Sequence, residues 1–302
     1  MVVDLVDLHV HSTASSDADF TPRELVEMAI NKKLWTIAIT DHDSVAGLEE
    51  GLYWGNKLGL EIIPGCEFNA EHKGKWLHIL GYFIDHHDPE IINYCRSIDK
   101  KRKNDVFKQV EKLNEVGFFL ETEQIYQETP DPMFHTFSQV LFADSRNKNN
   151  RILKKYRQDE NAIVKFCMDW LIPGKPLNAP REISQAEDIF QLIYNIGGIP
   201  VLAHPALTLS KADDYLIDEL INLGLVGLEI YTSWHNEVNE KHYEKYVQDK
   251  ELIVTSGSDF HGTLKPYAIL GETKNNTYEV VKRLKKSIST ISTTYRHDSC
   301  ML

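Results

Sequence analysis

Along most of the chain, apolar runs of strand length alternate with amphipathic runs of helix length. No other feature narrows the fold as much. "VVDLVDL" leads into "TPRELVEMAINKKL", where Thr21 is placed to cap a helix and Pro22 takes its first position. The β-branched run "WTIAIT" follows, then a helix in "AGLEEGLYWGNKLG" and strands in "LEIIPG" and "KWLHILGYFI". Further on, "SQAEDIFQLIYNIGG" reads as a helix with a serine cap and a glycine stop, and "IPVLAHP" as a strand. "DDYLIDELINLG" and "WHNEVNEKHYEKYVQD" are helical, separated by the strand "LVGLEIY", and "ELIVTSGSD" is the seventh strand. Strands alternating with helices predict an α/β protein with a parallel sheet, and 302 residues suit closure into a barrel.

The rhythm breaks in one place. "EIINYCRSIDKKRKNDVFKQVEKLNEVG" is one long helical pattern, and the chain stays helix-like and charged as far as "GKPLNAPR". Residues 89–183 are therefore expected to form a helical insertion over the mouth of a barrel built from 1–88 and 184–302. A net charge of −12 disfavours non-specific binding to nucleic acid or anionic membrane. A short nucleic-acid end entering a metal-lined pocket stays compatible with it. The four cysteines are scattered and no signal sequence opens the chain. No apolar run reaches the roughly 18 residues of a membrane span. The expected setting is cytoplasmic, with free thiols and no membrane or protein partner to be read from the sequence.

Chemistry concentrates at the strand ends. In "DLHVHSTASSD", His9 and His11 lie two apart at the end of strand one, so they project to the same side, and Asp17 follows. Strand two runs into Asp41-His42-Asp43, strand three into Glu67, strand five into His204, and strand seven into Asp259 and His261; strand four carries His78. A single histidine in such a place is more often a hydrogen-bonded core residue than a ligand. Nine imidazoles and carboxylates gathered on one barrel face exceed the four to six donors one ion needs, so two or three divalent ions are implied. The mixed donor set suits manganese, iron or zinc better than calcium or magnesium. His72, His86, His87, His235, His242 and His297 read as surface residues, and His135 could be lowered into the site by the insertion.

In this order, HVHS, TDHDS, PGCEF, LHILGYF, VLAHP and SDFHG resemble the PHP (polymerase and histidinol phosphatase) family. The resemblance is strongest to its small stand-alone phosphoesterases acting on nucleotides and RNA ends. It implies a distorted (β/α)7 TIM-like barrel and a trinuclear metal centre. One ion would lie on His9, His11, Glu67 and Asp259, and a second on Asp17, His42 and His261. His78 and His204 would hold the third, with Glu67 bridging between ions. The chain departs from the family pattern at Ser16, which occupies the usual place of the acid, while counting back from Thr21 restores Asp17 to register. Asp105 stands where relatives often have the second of two arginines, beside Arg102. Pro132-Met133-Phe134-His135 replaces a common Arg-Pro-His.

A cluster of divalent ions supplies what phosphoester hydrolysis needs, namely a metal-bound water of lowered pKa and charge neutralisation on the phosphoryl oxygens. No GxSxG or P-loop competes with that reading. Asp41 and Asp43 are expected either to orient ligand histidines and handle protons, or to cap the next helix. Arg102, His135, Arg181 and Lys265 are the candidates for holding substrate. The expected activity is hydrolysis of small phosphorylated nucleotides, such as a nucleoside 3',5'-bisphosphate. The alternative is 5'-3' exonuclease action on short oligonucleotides. An amidohydrolase-like C–N hydrolase, which would want a lysine where Glu67 stands, and a non-catalytic module rank below both.

Overall fold

The first connections follow the expected alternation. β1 (Leu5–Val10) pairs in parallel with β2 (Leu34–Ile39), and β2 with β3 (Glu61–His72). The linking helices are α1 (Pro22–Asn31) and α2 (Leu48–Leu58). Thr21 accepts from the Glu24 backbone N–H while the Glu24 carboxylate accepts from that of Thr21. This capping box fixes where α1 starts. The computed structural model describes residues 5–15, 17–129, 132, 134–172 and 174–298, with the backbone alone over 289–298. Ser16, Met133, Cys300 and the His297 side chain thus lie outside the described residues.

After β3 the parallel rhythm stops. β3 does not end at Pro64-Gly65 but continues to His72. It folds back through Lys73 and Gly74, at φ 49° and 77°, onto β4 (Lys75–Tyr82). Two successive positive-φ residues are what a two-residue hairpin of type I′ demands, and glycine in the second place removes the steric penalty there. β4 is therefore antiparallel to β3.

α3 (Pro89–Glu115) then carries the chain out of the first compact unit (Met1–Cys95 with Ile183–Leu302) and into the second (Arg96–Glu182). The second unit is helical: α4 (Thr122–Glu128), α5 (Phe134–Ala143), α6 (Arg151–Lys154) and α7 (Ala162–Phe166), the last running into a π-turn at Cys167–Leu171. Its own core gathers Leu113, Ile125, Phe137, Leu141, Leu153 and Phe166, all fully buried.

Back in the first unit, Ser184 does not cap a helix. It forms the two-residue strand β5 (Ser184–Gln185), which pairs with β3. α8 (Ala186–Asn195) leads to β6 (Ile199–Leu202), which lies antiparallel to β4. α9 (Asp214–Asn222), β7 (Gly227–Tyr231), α10 (Glu237–Tyr246) and β8 (Ile253–Ser256) resume the parallel alternation, and α11 (Tyr278–Asp298) follows. The sheet order is β1-β2-β3-β4-β6-β7-β8.

One face of this mostly parallel sheet packs on the helices, through residues such as Ile37, Ile39, Phe68 and Leu228. On the other face Val6 and Leu8 of β1, Leu80 of β4, Val201 of β6 and Ile253 of β8 share one cluster with Val281 and Leu284 of α11. Strands from both ends of the order can share a cluster only if the sheet curls. Each fully buried aliphatic side chain there stabilises the curl by about 1.5–3 kcal/mol. Between β1 and the segment after β8, His11 N–H donates to the Phe260 carbonyl, and Val10 bridges Phe260 in parallel. Among the described residues no helix is long and apolar enough to cross a membrane.

Candidate metal centre

The strand ends bring His9, His11, Asp17, His42, Glu67, His78, His204, Asp259 and His261 into one cluster, most of them buried. His78 arrives by a different route from the others. It lies inside the antiparallel β4, directly opposite Asn69 of β3, so it reaches the cluster from mid-strand. Asp43, His204 and Asp259 adopt positive φ (49°, 22° and 55°), conformations uncommon for non-glycine residues. Backbone strain of this kind gathers at functional sites.

Three groupings share Glu67 or His11. Nε2 of His9 lies 3.2 Å from Glu67 Oε2 and 3.3 Å from Asp259 Oδ1; Nε2 of His11 lies 3.2 and 3.1 Å from the same two oxygens. Asp17 Oδ2 is 3.3 Å from His261 Nε2 and 3.8 Å from His42 Nε2, and His11 belongs to this group as well. Glu67 Oε1 is 2.6 Å from His78 Nδ1 and 3.0 Å from His204 Nε2, and these two nitrogens are 3.3 Å apart. The buried His9 Nε2, His11 Nε2, Asp17 Oδ1, Glu67 Oε2 and Asp259 Oδ1 make no hydrogen bond. Buried polar atoms are ordinarily paired, so five unsatisfied ones converging in one place fit divalent cations.

The charges fit the same reading. Burial pushes the Glu67 carboxyl up, but His78, His42 and His9 outweigh it and hold Glu67 well below the usual carboxylate range. Asp259 is likewise buried, yet Lys265 and His9 keep it ionised. Burial opposes protonation of His42, but Glu67 and Asp17 raise it to about 9; Glu67, Glu229 and Asp259 lift His9 well above its ordinary value against the same burial. Burial, followed by His261 and His42, pushes His11 down to about 3. Asp17 is held below the usual carboxylate range by His42 and His261 against its burial, so three ionised carboxylates sit among imidazoles, two of which hold protons that a cation would replace.

A supporting layer fixes the ring orientations. Ser15 Oγ is 3.0 Å from His11 Nδ1 and donates to Asp41 Oδ1, and Asp41 also accepts from the Ser12 N–H and hydroxyl. Tyr94 and both nitrogens of Asn69 donate to Asp43, while Asn69 Oδ1 faces His78 Nε2 at 3.1 Å. His261 Nδ1 is 2.8 Å from the Asp259 carbonyl, and Trp234 Nε1 donates to Asp259 Oδ2 at 2.5 Å. Neither Asp41 nor Asp43 caps α2, whose N-cap is Gly47.

Lys265 stands at the edge of the cluster, its Nζ 2.9 Å from His261 Nε2 and 3.4 Å from Asp259 Oδ2. Arg102, His135 and Arg181 belong to the second unit, where Arg181 stacks at 4.0 Å on the ring of Phe134. His72 and His235 are buried, contrary to the surface expectation. His72 pairs with Glu219 at 2.8 Å, and His235 accepts from the Ala206 N–H at Nε2 with its Nδ1 on the Ile230 carbonyl.

Sequence reading overlooked Glu229, Asn69, Ser15 and Trp234. Glu229 carried a signal, as the one acid in the apolar strand "LVGLEIY"; for the other three no local pattern stands out.

The sequence pattern of the PHP domain matches residues 7–296. The chain is 28% identical over 259 residues to the phosphoribosyl 1,2-cyclic phosphate 1,2-diphosphodiesterase of Eggerthella lenta, covering 85% of this chain and 94% of that one. It is 27% identical over 271 residues to the 3',5'-nucleoside bisphosphate phosphatase of Chromobacterium violaceum, covering 85% and 87%. With the 5'-3' exoribonuclease of Haemophilus influenzae it shares 26% identity over 260 residues, covering 84% and 89%. Among solved structures, an amidohydrolase from Chromobacterium violaceum with bound sulfate and no metal superposes with a TM-score of 0.73. That match has 24% identity and covers 89% of this chain and 91% of that one, a likeness of fold.

Proposed function

The chain belongs to the PHP-domain family, and on that premise we propose that it is a metal-dependent hydrolase of phosphate esters acting on small nucleotides. The observation that carries this reading is the set of five buried, unsatisfied donor atoms on His9, His11, Asp17, Glu67 and Asp259. Their donor types suit two or three ions of manganese, iron or zinc. His9, His11, Glu67 and Asp259 would hold one ion, Asp17, His42 and His261 a second, and His78, His204 and Glu67 a third. Ions bound there would lower the pKa of a water and neutralise charge on phosphoryl oxygens.

The chain's own residues do the rest. Glu67 and Asp259 keep fixed negative charge at the centre, because neighbouring imidazoles and Lys265 hold them ionised despite burial. Lys265 is the cation placed to meet a phosphoryl oxygen that no ion takes. Asp41 and Asp43 act as orienting groups, holding His11 through Ser15 and His78 through Asn69. The buried thiols of Cys66 and Cys167, neither in a disulfide, support a reducing, cytoplasmic setting.

Likeness to the bisphosphate phosphatase favours a nucleoside 3',5'-bisphosphate as substrate. Likeness to the exoribonuclease favours the second reading, stepwise 5'-3' removal of nucleotides from short RNA. Chromatography of products, with manganese and with chelator, separates them. The substrates are adenosine 3',5'-bisphosphate, phosphoribosyl 1,2-cyclic phosphate and a 5'-phosphorylated oligoribonucleotide. We expect metal-dependent phosphate release from the bisphosphate. Mononucleotides from the oligomer alone would establish the second reading, and turnover of none of the three would overturn both.

A further inference from the structure

We infer that Glu229 is a positioning residue that holds one histidine in each of two proposed ion sites. The inference rests on the metal-dependent reading above. Glu229 lies in the middle of β7 between the fully buried Leu228 and Ile230, and is itself fully buried. A carboxylate in such a place is costly unless both oxygens find donors. Both do. Oε1 is 3.0 Å from Nδ1 of His9, and Oε2 accepts from the backbone N–H of His204 at 3.0 Å.

Each contact has a chemical consequence. With Oε2 accepting from the His204 N–H and Oε1 facing Nδ1 of His9, the carboxyl acts as acceptor at both oxygens and the proton of the His9 contact sits on Nδ1. The proton that a cation would displace is then the one on Nε2, which faces Glu67 Oε2 and Asp259 Oδ1. At His204 the bond anchors a backbone at φ 22° and ψ 60°, which aims the ring at Glu67 Oε1 and His78 Nδ1. The approach is made possible by Gly257. A Cβ there would lie 2.7 Å from Glu229 Oε1 and 2.3 Å from the Cβ of His9. The two hydrogen bonds of Glu229 go to His9 and His204, so the site on Asp17, His42 and His261 should not depend on it.

Glu229→Gln tests this at nearly constant shape. An amide has one accepting and one donating end, so it cannot satisfy His9 Nδ1–H and His204 N–H together. If it donates to Nδ1, the His9 proton is driven onto Nε2, facing the ions. The full chain is titrated with zinc against a competing chelator, and its histidine ring nitrogens are followed by 15N NMR. Expected is a loss of about 10–100-fold in affinity at two sites, the scale of such supporting contacts. The Asp17–His42–His261 site should be unchanged, and the His9 Nδ1–H resonance lost. Retention of that one site separates the effect from unfolding. Glu229→Asp, which still only accepts, should restore the Nδ1–H resonance and part of the affinity. Zinc binding by Glu229→Gln equal to the wild type overturns the inference alone. A wild-type chain that binds no zinc overturns the metal-dependent reading and the inference with it.

Discussion

Both compact units bury polar side chains, and two sets of them, one in each unit, are handled in opposite ways. In the helical unit, Gln109 donates to the Leu177 carbonyl and accepts from the Ala179 N–H, and Asn147 makes the same two-sided bond with the backbone of Phe119. Both amides are saturated, and their work is to pin loop backbone onto helices. In the sheet unit, His9, His11, Asp17, Glu67 and Asp259 keep buried atoms that no neighbour satisfies. A saturated buried amide is a structural fastener. An unsatisfied convergence of donors is a place that expects something to bind.

The largest test of that contrast removes the residue that two of the groupings share and that touches the remaining one through His42. Glu67 touches His9, His11, His42, His78 and His204. Glu67→Gln should cost several kcal/mol of charge stabilisation, roughly a 10³-fold fall in kcat/KM. Metal analysis of the same sample should show ions lost. A variant with full activity would remove Glu67 from the centre.

Next in size is a dependence on pH that only an unsatisfied cluster should show. His42 is raised to about 9 from an ordinary 6.5, and His9 is raised as well. A raised histidine stabilises the fold fully below its unfolded pKa, and that stability disappears as pH climbs through the folded value. Metal-free protein should therefore lose on the order of 3 kcal/mol between pH 6.5 and 9 through His42. Metal-loaded protein, in which cations have displaced those protons, should not. Thermal melts of both forms across that window decide it, and parallel curves would count against the cluster as an ion site.

The saturated side of the comparison predicts the reverse pattern. Gln109→Ala leaves the Leu177 carbonyl and the Ala179 N–H without their partner, a cost of about 2 kcal/mol. Metal content should be untouched. A drop in metal content as large as that of Glu67→Gln would erase the distinction between the two kinds of buried polar group.

How much of this was legible in the sequence follows from how local each signal is. His9 and His11 needed only the two-residue period of a strand, and Asp17 only its distance from the Thr21 cap. The full length of β3 was not read, although Lys73-Gly74 spells the hairpin, because "LEIIPG" ends on its own punctuation. What stays hidden with it is the antiparallel pairing of β3 and β4, through which His78 reaches the cluster from mid-strand. Asn69 was beyond reach for a stronger reason. Its role exists only because β4 folds back and sets His78 opposite it, and no residue near Asn69 in sequence records that pairing.

Asn69 also supplies the finest test, because it is both saturated and beside the cluster. Its Oδ1 takes Trp76 Nε1–H at 2.9 Å and faces His78 Nε2 at 3.1 Å, while its Nδ2 donates to Asp43 at 2.7 Å. That arrangement places the His78 proton on Nε2 and leaves Nδ1 to face Glu67. Asn69→Ala removes the acceptor without touching any of the nine cluster residues. If Asn69 belongs with the fasteners, stability falls and zinc affinity holds. If it serves the cluster, affinity at the His78–His204 site falls about tenfold, the low end for supporting contacts, and the other sites keep theirs. We expect the second result. A zinc titration beside a thermal melt of the metal-free variant reads both quantities, and unchanged zinc affinity would return Asn69 to the fasteners.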